Sequence, residues 1–117
     1  MAFKLTLLLC DNMLVSSSSL AAEIFNFAAA MTRARTHTAG DLEIRRISSD
    51  DKPVYTSSGF TVEPTHSLDD VSNNDLIHIP ALWRNPRRAI KKHPQYMPFL
   101  RQQHEKNCSI TAVGTGV

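Results

Sequence analysis

Cysteine is scarce in this 117-residue chain, which has only Cys10 and Cys108. Two are too few for a disulfide scaffold, and both are expected to be reduced and far apart. Long apolar runs are lacking: none reaches 18 residues, so no membrane span is expected. An excess of one charge is lacking too. With 13 basic and 11 acidic residues the net charge is +2, too balanced to argue for nucleic acid by itself. His37, His66, His78, His93 and His104 have no metal-ligand spacing, and no cysteine pair accompanies them, so no metal is expected. Neither an internal repeat nor a dividing linker is present. The length fits one domain at most.

The start of the chain imitates an export signal. Met1-Ala2-Phe3-Lys4 is a charged opening, Leu5 to Leu9 an apolar core, and Cys10 stands where a lipoprotein cysteine would. The apolar part is about half the length such a signal needs, and Asp11 and Asn12 cut it off. A buried first strand over Phe3 to Cys10 is the stronger reading, with an exported lipoprotein as a second alternative.

What is present alternates between strand and helix patterns. Asp11-Asn12 is a polar turn. The serines Ser16 to Ser19 open a helix, because hydroxyls satisfy its free N–H groups. Leu20, Ile24, Phe27, Ala28 and Met31 then form one apolar face, and the helix is expected to end near Arg35. Leu42 to Ile47 alternates as a strand with one face less buried. Val54-Tyr55-Thr56 and Phe60-Thr61-Val62 flank Ser57-Ser58-Gly59 as a small hairpin. Leu68 to Val71 is a single helical turn, and Asp75 to Ile79 a buried strand stopped by Pro80. Asn85-Pro86 caps and starts a helix that Pro94 ends. A further helix runs from about Gln95 to Lys106, and Ile110 to Val113 is a last strand.

This order implies an α/β fold of flavodoxin-like type: a mostly parallel sheet with helices on both faces. A parallel sheet gathers its strand C-termini on one edge, where ligands bind. Three segments are expected to meet there: Cys10-Asp11-Asn12, Pro80-Ala81-Leu82-Trp83, and Gly114-Thr115-Gly116. The last of these follows an apolar strand directly, as a strand-to-helix turn does. The chain reads as the first part of such a domain, stopping at that turn.

Asp75 to Leu82, then about thirty residues of helix, then Ile110-Thr111-Ala112-Val113-Gly114-Thr115-Gly116, resembles the ThiJ/PfpI group of class I glutamine amidotransferase-like domains. Leu7-Leu8-Leu9-Cys10-Asp11-Asn12 and Ala21-Ala22-Glu23-Ile24-Phe25 are similar, more narrowly, to the N-terminal domains of AraC-type transcriptional regulators. The resemblance spans the whole chain but about two thirds of a complete domain. It implies that a helix-turn-helix module, absent here, would follow. It also implies where an active site would lie. Enzymes of the group carry a cysteine at the elbow, matched here by Gly114. They carry an acidic residue early in the first helix, matched by Ser17. A glycine pair that supplies backbone donors is replaced by Ala81-Leu82. A glycine offers no thiolate, so these departures argue against catalysis.

The residues expected to line a ligand site are therefore Asp11, Ser17, Trp83, Gly114, Thr115 and Gly116. Gly114 and Gly116 fit an anion cradle, or simply a tight turn that needs glycine. Trp83 fits the wall of a small-molecule pocket or a filler between loop and helix. Arg84, Arg87, Arg88, Lys91 and Lys92 read as a solvated helix face rather than a phosphate or DNA contact. His78, inside a strand, reads as a satisfied histidine. The functional expectation is a non-catalytic effector-sensing or dimerisation domain of a cytoplasmic regulator, without a cofactor. Its partners would be a small-molecule effector and a second copy, with DNA reached only through the absent module. The alternative is a hydrolase or glyoxalase-like enzyme of the same group.

Overall fold

The structure, a computed structural model, describes residues 2–36, 41–83 and 86–114. Its elements are β1 (Phe3–Leu8), α1 (Val15–Thr36), β2 (Leu42–Ile47), β3 (Val54–Tyr55), β4 (Thr61–Val62), a 3-10 turn (Leu68–Asp70), β5 (Leu76–Ile79), α2 (Pro86–Lys92), α3 (Tyr96–Glu105) and β6 (Ser109–Ala112). The expected order holds throughout. The main sheet is wholly parallel, in the order β2-β1-β5-β6, and β3 and β4 pair separately as an antiparallel hairpin. Gly59 at φ +88 turns that hairpin. The Asn85 cap expected for α2 lies outside the described residues, as does His37.

The two faces of β1 divide the molecule. Leu5 and Leu7 point to the α1 side, where Phe3 stacks on Phe25 with ring centres 5.8 Å apart. Leu8 and Cys10 point the other way and join Ile47, Ile77, Tyr96, Phe99 and Cys108 in the main apolar core. α3 supplies Tyr96, Phe99 and Gln103, spaced to share one buried helix face. Its end is a Schellman turn. Asn107 takes φ +66, the Asn107 N–H donates to the His104 carbonyl at 3.1 Å, and the Cys108 N–H donates to that of Gln103 at 3.0 Å. That reversal launches β6.

The apolar face of α1 is the main departure from the sequence expectation. The residues against the sheet are Ser18, Ala21, Ala22, Phe25 and Ala29, all buried or half-buried. Leu20, Ile24 and Phe27 lie on the opposite side, 58%, 59% and 68% exposed, with Met31 at 39%. The cause is steric. A face of alanine and serine lets the helix backbone lie close to the sheet, and the bulkier stripe is turned outward.

Both cysteines are free and buried. Registry through β5 sets Cys108 level with Lys4, whereas Cys10 lies beyond the end of β1. The two are roughly 20 Å apart along the strand direction, well outside disulfide reach.

Candidate functional site

Strand order places the site. From β1 the chain moves to β2 on one side and to β5 and β6 on the other. The crevice of an open α/β sheet therefore lies beyond the C-terminal ends of β1 and β5. Beyond β1, Asn12 takes the left-handed conformation at φ 67 and turns the chain across the sheet edge. Met13 forms an antiparallel bridge with Leu82. The Leu14 N–H donates to the Ala81 carbonyl at 2.8 Å, and the Trp83 N–H to that of Asn12 at 2.9 Å. The two expected segments, 10–12 and 80–83, are thus laced together.

The hairpin is tied to the same loop from its other side. The Asn12 N–H donates to the Tyr55 carbonyl at 2.7 Å, and the Ser57 N–H to that of Met13 at 3.0 Å. Asp11 braces the frame: one carboxylate oxygen accepts the Tyr55 N–H at 3.0 Å, and the other meets Lys92 Nζ at 2.5 Å. Burial raises the pKa of Asp11, but the hydrogen bonds from Lys92 and Tyr55 and the nearby charges outweigh it and leave a net lowering. Between hairpin, loop and α2 opens a cavity of about 670 Å³ bounded by Tyr55, Trp83, Leu82, Arg88 and Lys92.

Ser17 and Gly114 sit together at the other end of this edge. Ser17 Oγ donates to the Leu14 carbonyl at 2.6 Å and accepts the Ala81 N–H at 3.0 Å. Gly114 takes φ +52, and a Cβ there would lie 3.4 Å from the Ala81 Cβ. Ala81 is therefore the link between Ser17 and Gly114. His78 is satisfied on both ring nitrogens, by Thr111 Oγ1 and by the Ser17 carbonyl, each at 2.9 Å. Thr115 and Gly116 lie outside the described residues.

Neither cysteine stands ready as a nucleophile. Burial, with Asp11 adding to it, pushes the Cys10 thiol up to about 12, and burial also raises Cys108. At neutral pH both stay protonated, and the thiol is the unreactive form.

Sequence reasoning missed three contributors. Tyr55 carries no signal beyond a short hairpin strand. Arg88 and Lys92 are exposed, as a solvated helix face is, and their spacing by four also puts both on the side of α2 that lines the cavity. The third is a buried cluster at the end of β2. Ser49 Oγ and His93 Nδ1 are 2.6 Å apart, and the His93 ring stacks on Tyr96 at 5.1 Å. The Tyr96 hydroxyl donates to the Leu9 carbonyl at 2.5 Å, while His93 Nε2 is buried without a partner. Burial lowers His93, and Lys92 adds to that; Asp11 and Asp50 oppose it.

Solved structures share this fold. A protein assigned as a transcriptional regulator from Vibrio parahaemolyticus superposes with a TM-score of 0.79 at 19% identity, over 97% of this chain and 57% of its own. DJ-1beta of Drosophila melanogaster gives 0.76 at 16%, over 99% and 57%. An AraC family transcriptional regulator from Pseudomonas putida gives 0.71 at 17%, over 94% and 55%. The fold is that of the DJ-1/ThiJ/PfpI proteins. The chain spans a little over half the length of these structures. At such identities the likeness establishes fold alone. No protein-family model matches the chain, and no curated protein does. No helix among the described residues is long and apolar enough to cross a membrane.

Proposed function

We propose that this chain is the ligand-sensing and pairing part of a transcriptional regulator and carries no catalysis of its own. The observation that supports this most is Gly114. The resemblance matches it to the elbow, it takes φ +52, and it has no side chain to attack a substrate. The neighbouring position offers only Ser17, whose hydroxyl is already engaged by Leu14 and Ala81. Two solved proteins of this fold are described as transcriptional regulators, which favours the same role. DJ-1 proteins also share the fold, so fold alone does not choose between the roles.

The pairing half of the proposal draws on α1. Its outward stripe of Leu20, Ile24, Phe27 and Met31 is a large apolar surface for one helix. A second copy of the chain would cover it.

The test compares wild type with Gly114→Cys on glyoxals and activated esters. Wild type is expected to show no turnover. The variant is expected to stay inactive as well, because Ser17 supplies no carboxylate to lower the new thiol. Wild-type turnover that survives alkylation of Cys10 and Cys108 overturns the sensor reading.

A further inference from the structure

We propose that His93 is a proton-operated latch: when its ring takes up a proton, α2 swings away from the end of β2 about Pro94, while α3 and the sheet stay in place. The latch is a property of the fold and stands whether or not the sensor reading does.

What holds α2 places the latch. None of the residues Pro86–Lys92 is buried, so the helix has no core anchor of its own. The residue after it is the anchor. His93 is 4% exposed, and its N–H donates to the Ala89 carbonyl at 3.0 Å, which fixes it to the last turn of the helix. Its ring touches two fixed parts of the body. Nδ1 meets Ser49 Oγ, just past β2, at 2.6 Å, and the ring stacks on Tyr96. Tyr96 belongs to α3, where Tyr96, Phe99 and Gln103 are all buried. Pro94 stands between the helix that is seated and the helix that is only pinned.

The chemistry of the ring opens the latch. A neutral imidazole has one N–H and one bare nitrogen. The hydrogen bonds assign the N–H to Nδ1, where it donates to Ser49 Oγ; a buried orphan N–H at Nε2 would be the costlier tautomer. A further proton must then go to Nε2, which is buried without a partner. The new N–H meets neither an acceptor nor water, and its charge is desolvated. Turning the ring out to solvent removes that cost, and α2 moves with it. Lys92 directly precedes His93, so the same swing parts Lys92 from Asp11.

The charges around the ring do not cancel the cost. Asp11, beyond β1, and Asp50, beyond β2, favour the protonated ring, and Lys92 opposes it. Asp11 is already paired with Lys92 at 2.5 Å, so its pull is largely neutralised. Tyr96 and, behind it, Cys10 are kept uncharged by burial. Burial of the imidazole itself is the largest influence, and it holds the closed ring neutral.

Amide hydrogen exchange at pH 7 and pH 5, corrected for the intrinsic pH dependence of exchange, reads the latch segment by segment. Protection over residues 87–93 is expected to fall about tenfold, the size for a ring that titrates near its ordinary value when open and well below it when closed. Protection of α3 and β5 is expected to hold. His93→Phe keeps a ring to stack on Tyr96 but takes no proton, and is expected to abolish the pH response. His104→Gln, at an exposed position on α3, is expected to keep it. Should His93→Phe fold poorly, the wild-type imidazole signals decide. The His93 ring is expected to titrate below 6.5, and α2 to lose protection chiefly between that lower value and 6.5. Unchanged α2 protection at pH 5, an equal loss in α3 and β5, a response that survives in His93→Phe, or a ring that titrates at 6.5 or above overturns the proposal.

Discussion

At the scale of single residues, two side chains make the fold sensitive to acid. The folded pKa of Asp11 is depressed, so its contribution is complete above the unfolded value of 3.8 and is lost as pH falls through the lower folded value. His93 is also depressed, chiefly by burial. Its contribution is complete above 6.5 and fades as pH falls through its folded value. Protonated, its buried Nε2 would carry an N–H without an acceptor, beside Lys92 and the Tyr96 ring. Asp11 and Asp50 moderate that cost without removing it. Unfolding by urea is therefore expected to show a midpoint that drops in two stages between pH 8 and 3. His93→Gln should flatten the upper stage and Asp11→Asn the lower one. A flat wild-type profile from pH 8 to 5 would show that His93 titrates normally.

At the scale of elements, α1 makes the sharpest claim, because its two faces exchange the roles that hydropathy assigns. Phe25 and Phe27 are two residues apart on one helix. Phe25 stacks on Phe3 against the sheet, while Phe27 is 68% exposed. Phe25→Ala is expected to lower the unfolding free energy by about 2 kcal/mol, below the range for fully buried phenylalanines because the site is half-buried. At protein concentrations that keep the chain monomeric, Phe27→Ala should stay within about 0.5 kcal/mol, as surface changes do. Chemical denaturation of the two variants decides it, and the reverse order would mean that the helix is rotated. The same element shows why part of the fold was legible and part was not. Strands β1 and β5 announce themselves as apolar runs, and Pro80, Pro86 and Pro94 mark their neighbours' ends. The orientation of α1 was hidden because side-chain volume, not only hydropathy, decides which helix face can approach a sheet. Alanines at 21, 22 and 29 were the available signal.

At the scale of the whole molecule, two open surfaces favour association. One is the outward stripe of α1. The other is β6, whose residues Ser109 to Thr111 are exposed on an unpaired strand edge. Sedimentation velocity is expected to show concentration-dependent association at micromolar protein. Phe27→Glu should suppress it by placing a charge in the stripe. A monodisperse monomer across that range argues against pairing through α1. Topology also governs how much of the candidate site could be read. A parallel sheet forces the ends of β1 and β5 together, so the meeting of residues 10–12 with 80–83 followed from strand order alone. The cavity did not, because Tyr55, Arg88 and Lys92 reach it from a hairpin and a helix whose packing no local pattern encodes.

The left-handed turn at Gly114 carries a consequence for how the molecule is held together. A residue with a Cβ would sit there against its own backbone preference, at a cost of about 1–2 kcal/mol, while its Cβ would meet that of Ala81 at 3.4 Å, about van der Waals contact. An enzyme with a nucleophile at such a corner must keep that tension in store and clamp the loop around it. With glycine the corner is relaxed. A corner without that tension asks nothing of Ala81, its neighbour across the sheet edge, to hold it in shape.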